Sequence, residues 1–136
     1  MEFRTNDFKP SWITDQLDGV AIDFAQRFGE HLCDLQNGRL GRMALTTSQI
    51  RNFFGEVKRI QAKGYDKERS SFLLIRPKLA YAEARVLQKS GKSRITDFRE
   101  VIERAHAAVQ QPTHFQNFVD FLEATLAFHK FYGGKD

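Results

Sequence analysis

The stretch Phe115-Gln116-Asn117-Phe118-Val119-Asp120-Phe121-Leu122-Glu123-Ala124-Thr125-Leu126-Ala127-Phe128-His129-Lys130-Phe131-Tyr132 decides the fold. Its apolar residues recur at helical spacing and cover much of the girdle of one helix, not a single stripe. A helix that apolar must be covered on several sides, so it predicts a central position in a bundle. Thr113 and Gln116 predict a capping box at its start, and Gly133 with Gly134 predict its stop near Tyr132.

Working outward, Leu17, Val20, Ala21, Phe24, Phe28, Leu32 and Leu35 trace one face of a first helix, ended by Asn37 and Gly38, which both tolerate positive φ. A second helix opens at Thr46 with the box Thr46–Gln49 and closes at Gly64, with Ile50, Phe53, Phe54, Val57 and Ile60 as its core stripe. A third helical region spans about 67–89. Pro77 within it either kinks one long helix or begins a new one. After a loop at 91–93, Thr96 or Asp97 caps a helix carrying Phe98, Val101, Ile102, Ala105 and Val109, with Pro112 beyond. No convincing period-2 strand appears, so the expectation is a compact all-α bundle of about five helices. Residues 1–14 read as an irregular segment and 15–136 as one helical-bundle domain.

The totals agree. A chain of 136 residues, 41% hydrophobic and with thirteen Phe, can bury a single core; at that size roughly 68% of the unfolded surface is removed from water. No apolar run approaches the roughly 18 residues that span a bilayer, and Glu2, Asp7, Asp15 and Asp18 argue against a signal peptide in the first twenty. The lone Cys33 precludes an intramolecular disulfide, fits a reducing cytoplasm, and reads as a small buried apolar side chain. Trp12 either seals the end of the bundle or forms an exposed partner contact.

Charge is sorted along the chain. Residues 51–94 hold twelve Lys or Arg against four acids, a formal +8, so the net +4 of the whole leaves −4 elsewhere. Mixed signs would cost less self-repulsion, whereas a polyanion partner rewards the segregation through counterion release. On a helical wheel Arg51, Gly55, Lys58 and Ala62 form one ridge, and Lys78, Ala82, Arg85 and Lys89 repeat the spacing on the next helix. Each has a small residue between its first two cations, leaving room for a sugar-phosphate backbone. Arg51 and Arg85 suit bidentate phosphate contacts, Lys58 and Lys78 act as point charges, and Tyr81 stands ready to stack on a base or ribose. With Arg59, Lys63 and Lys89 these make the candidate RNA-binding set. No helix-turn-helix, zinc-finger or RNP-type base-reading pattern is present, which points to phosphate and shape recognition.

Catalytic constellations are missing from the pattern. His31, His106, His114 and His129 are scattered, His31 and Cys33 do not face each other on a helix, and the pairs Asp18/Asp23 and Glu100/Glu103 read as solvated helix-surface acids. Gly38-x-x-Gly41 is too short for a phosphate loop and lacks its Lys and Ser/Thr. The expectation is a protein that is not an enzyme and needs no cofactor or metal.

Leu45-Thr46-Thr47-Ser48-Gln49-Ile50-Arg51-Asn52-Phe53-Phe54 and Pro77-Lys78-Leu79-Ala80-Tyr81-Ala82, followed by Arg85, resemble two signatures of the small-subunit family of type III-A CRISPR interference (Csm) complexes. The resemblance covers about residues 15–132. It implies a non-catalytic helical subunit, stacked in several copies along the guide RNA–target RNA duplex beside a larger guide-binding subunit, and touching mainly the target-strand backbone. Cleavage would belong to other subunits. The positions carried over are Arg51, Lys58, Lys78, Tyr81 and Arg85. Competing readings are a protein–protein scaffold whose basic belt meets an acidic partner or whose acidic flanks promote self-association, a DNA-binding regulator, and a metal-dependent nuclease, for which the belt holds too few acids.

Overall fold

A computed structural model describes residues 3–133. The elements are a 3-10 turn at Thr5–Asp7, then α1 (Ser11–Thr14), α2 (Gly19–Leu32), α3 (Thr47–Lys63), α4 (Arg69–Ser90), α5 (Ile95–Ala107) and α6 (Pro112–Phe131). No strand occurs among the described residues; an isolated antiparallel bridge joins Gln36 and Arg39. The all-α bundle read from apolar spacing is the fold observed.

α6 is the central helix, packed against α1, α2 and α3. Its buried side chains Phe115, Phe118, Val119, Phe121 and Leu122 occupy the interior, although Phe131 at its end is 75% exposed. The closest crossing is with α2. A Cβ added to Gly29 would lie 2.7 Å from the His129 nitrogen and 2.9 Å from the Thr125 oxygen, so the absence of a side chain there lets the two backbones meet. Rings fill the rest of this half: Trp12 and Phe8 are each 5.4 Å from a neighbouring ring at Phe24 and Phe121 respectively. Trp12 is 2% exposed and buried with Phe8 and Ile13 in the α2–α6 core, which settles it as a seal on the bundle. The first fourteen residues thus contain the 3-10 turn and the one-turn helix α1.

Helix ends show where local rules held. Thr46 caps α3 in a full capping box: its hydroxyl accepts from Gln49 N at 3.2 Å and its own N–H donates to Gln49 Oε1 at 2.8 Å. Gly64 closes α3 with φ 103°. Pro77 lies inside one continuous α4.

Three boundaries differ from expectation. α2 stops at Leu32, before Leu35, because Asp34 turns to φ 47° and its carboxylate is tied elsewhere; Asn37 (φ 54°) and Gly38 (φ 78°) instead form a tight hairpin turn. α5 begins at Ile95, where Ser93 Oγ accepts the Ile95 N–H at 3.1 Å, so Thr96 and Asp97 lie within the helix and Val109 beyond it. α6 begins with Pro112 as its first residue, which places Thr113 too far inside to cap. Val20, expected on the core face of α2, is 52% exposed. Gly134 lies outside the described residues.

Candidate nucleic-acid interface

Between α3 and α4 runs an open cleft of about 570 Å³. Leu45, Phe53, Ile75, Leu79, Val86 and Phe98 contribute its apolar lining, and the side-chain amides of Gln49 and Asn52 come from α3. Arg42, Lys78, Arg85 and Lys89 supply the positive charge, against the single acid Glu56. The spacing of the second ridge explains this placement: Lys78, Ala82, Arg85 and Lys89 share one face of α4, and Ala82, half-buried, keeps the cleft open between the cations.

The two ridges do not face each other across that cleft. Arg51 and Lys58 belong to a different flank of α3. Lys58 Nζ donates to Glu123 Oε1 of α6 at 3.0 Å and lies 5.7 Å over the Phe54 ring. Arg51 shares its helical face and is exposed. Arg59 is occupied locally: its guanidinium grips both Glu56 oxygens at 3.0 Å and donates to Glu68 at 2.9 Å, which pushes its pKa still higher. The same contact with Arg59, joined by the nearby Lys78 ammonium, holds the Glu56 carboxyl below the usual range. Lys63 is exposed near the end of α3. Tyr81 stands on the outward face of α4, 65% exposed, with the Arg85 guanidinium 5.8 Å from its ring centre.

Part of the positive segment is structural. Arg94 Nη2 donates to the buried Asp34 Oδ1 at 2.8 Å, and its backbone N–H donates to Met43 O at 2.7 Å. Burial works to raise the Asp34 carboxyl, but the Met43 N–H and Arg94 outweigh it and hold the pKa low. A Cβ on Gly41 would meet Asp34 O at 2.2 Å, so this loop needs glycine there. Alongside, His31 Nε2 lies 2.6 Å from Asp97 Oδ2, within hydrogen-bond distance, and 3.4 Å from Arg94 Nη1. Arg76 pairs with Glu103 at 3.2 Å, and Arg99 bridges Glu83 and Glu103.

Arg42, Gln49 and Asn52 escaped sequence reading as cleft residues. Arg42 lies outside the positive run, and Gln49 signalled only a cap; the pairing of α3 with α4 that assembles them is a tertiary fact. Two of the histidines, His106 and His129, are buried in the core. His106 Nε2 is 2.7 Å from Phe72 O and His129 Nε2 is 2.8 Å from Leu45 O, and burial lowers the pKa of both. Cys33 is buried and its thiol donates to His129 O at 3.4 Å. Among the described residues no cluster of three or more His, Cys, Asp or Glu is placed to hold a metal, and no helix is long and apolar enough to cross a membrane.

A small all-α bundle with a cation-rimmed cleft between two neighbouring helices is the class of protein that these features define. The family Csm2 Type III-A matches residues 23–135, a span that includes both signature stretches, and the chain belongs to it. It is accordingly a subunit of the type III-A CRISPR effector complex. No curated protein and no solved structure matches the chain.

Proposed function

We propose that this subunit binds RNA without catalysis, holding the backbone of the guide RNA–target RNA duplex in the α3/α4 cleft. Several copies would lie along the duplex in a cytoplasmic complex, each contacting mainly the target strand. The observation that carries the reading is the cleft itself: Lys78, Arg85 and Lys89, together with Arg42 from the preceding loop, converge on a groove with one acid and two amides. Phosphates reward that arrangement by releasing counterions, and the apolar lining with Gln49 and Asn52 suits ribose edges more than a base code. Tyr81 would stack at the margin. Arg51, Lys58 and Lys63 would meet a separate stretch of backbone on the other flank of α3, while Arg59 mainly fastens α3 to the turn at Glu68.

Fluorescence anisotropy with single-stranded RNA, RNA duplex and DNA duplex at about 50 and 200 mM salt tests this, since phosphate contacts weaken steeply over that range. Arg85→Glu with Lys89→Glu should weaken salt-sensitive RNA binding and leave the helical circular-dichroism signal intact. Unchanged affinity would remove the cleft from the reading.

A second reading, a scaffold that contacts another protein subunit through α4, is favoured by a specific feature. Leu73, Leu74, Pro77, Ala80, Tyr81 and Ala84 are all exposed on one face of α4. Analytical ultracentrifugation separates the two: self-association that persists at high salt, with no RNA binding, selects the scaffold.

A further inference from the structure

We propose that the cleft between α4 and α5 is a second phosphate-binding site, so that α4 meets nucleic-acid backbone on both of its flanks. The proposal rests on the RNA-binding reading of the α3/α4 cleft and extends it to the other side of the same helix.

The second cleft measures about 820 Å³ and is lined by Arg69, Arg76 and Arg104, with Glu103 as the one acid in its wall. Both oxygens of that carboxylate are engaged. It accepts from Arg76 Nε at 3.2 Å and also from Arg99, which lies outside the cleft. The other two guanidiniums have neutral partners: Arg69 lies 5.6 Å over the Tyr65 ring, and Arg104 donates to the side-chain carbonyl of Asn6. Among the described residues neither Arg69 nor Arg104 has an ion-pair partner. The cleft therefore keeps a positive excess that nothing in its wall neutralises.

The residue type and the floor narrow the ligand. All three cations are arginines, whose planar forks match phosphate oxygens two at a time. Beneath them the floor is aromatic and carries no charge: His106 stacks on Phe72 at 4.1 Å between ring centres and spends its Nε2 on Phe72 O. An acidic side chain would engage one of these guanidiniums at a time, whereas a phosphodiester strand offers repeating phosphates to the rim and a sugar face to the aromatic floor of Tyr65, Phe72 and His106. Arg69 and Arg76 are seven residues apart, as are Lys78 and Arg85 on the opposite flank. Two parallel cationic rows thus border the exposed Leu73–Tyr81 face.

The test compares the full-length wild type with Arg69→Gln/Arg104→Gln, Arg85→Gln/Lys89→Gln and the quadruple variant, binding labelled single-stranded RNA across salt. Each double variant should reduce the slope of log affinity against log salt by about 1.4, and the quadruple by about 2.8, at roughly 0.7 per lost contact. A reduced slope for Arg85→Gln/Lys89→Gln alone overturns the second site and leaves the first in place. A reduced slope for Arg69→Gln/Arg104→Gln alone keeps the second site and removes the first. No change in either, or no binding by the wild type, removes both. AMP added at matched phosphate concentration should not displace RNA; displacement would overturn the polymer assignment in favour of a mononucleotide. Because Arg104 touches Asn6, Arg69→Gln alone (expected slope loss about 0.7) serves if the double variant melts early.

Discussion

The α2–α6 pair and α4 both carry large apolar side chains, and they place them in opposite ways. In the first region the chain covers its own apolar surface: Phe24, Phe28 and Phe121 are fully buried, and Gly29 lets the backbones touch. In the second, Phe72, Ile75 and Leu79 face inward while Leu73 and Leu74 face outward, with cations on both borders of that outer face. The first region is finished within one chain; the second leaves large apolar side chains exposed between cations. The sharpest way to break this contrast is truncation at matched positions. Phe24→Ala should cost about 3–5 kcal/mol of stability by denaturant melting, as expected for an aromatic cavity, and Leu73→Ala less than about 0.5, as for a surface site. Comparable losses at both would mean that α4's outer face is already packed.

Pro77 sharpens the same contrast from within α4. It has no N–H, so the carbonyl of Leu73 lacks its usual intrahelical donor, yet the helix continues from Arg69 to Ser90. Both residues are on the solvent side, where water can serve that carbonyl. Proline in a helix interior costs roughly 3 kcal/mol relative to alanine, offset by about 0.4–1 through a stiffer unfolded chain. Pro77→Ala should therefore stabilise the protein by about 2 kcal/mol, read as a raised denaturation midpoint. A loss instead would show that the proline ring, or the bend it sets, is held by contacts that its exposure conceals.

Local chemistry was legible in the chain wherever a feature is complete within one turn. The Thr46–Gln49 box, Gly64 and the girdle of α6 all read directly from spacing. One moved boundary depends on distant partners, since Asp34 leaves the helix because Met43 and Arg94 claim its carboxylate; the other two turned on local rivals that spacing alone does not rank, Ser93 Oγ capping at Ile95 and Gln111–Pro112 starting α6 where Thr113–Gln116 matched the capping motif equally well. Nor does spacing mark Gly29 as a crossing point, since its meaning lies in a helix a hundred residues away. The candidate site divided in the same way. The second ridge was found because one helix face carries it, but its opposite wall and Arg42 come from how α3 docks, which no wheel contains. The charge run overstated the belt, because Arg59, Arg76 and Arg94 are spent on Glu56, Glu103 and Asp34.

The smallest effect concerns acid, and it again separates the two regions. His129 sits in the α6 core beside α2, 2% exposed, and His106 lies under α4, 8% exposed. Burial lowers both pKa values from the ordinary 6.5, with the carbonyl hydrogen bond opposing it in each case. The folded state then binds fewer protons than the unfolded chain around that pH, so stability is complete above 6.5 and is lost as pH falls below it. His31 adds to the loss: burial lowers it too, assisted by Arg94 and opposed by Asp97. The carboxyls of Asp34, Glu56 and Glu68 are held low and do not titrate in this window. Melting temperature should fall between pH 7.5 and 5.5, and His129→Gln should flatten that fall even if it lowers stability throughout. An unchanged slope in the variant would mean that the proton is taken up elsewhere; His106→Gln, at the edge of the second cleft, would then tell whether the acid-sensitive half of the molecule is the closed core or the side that carries α4.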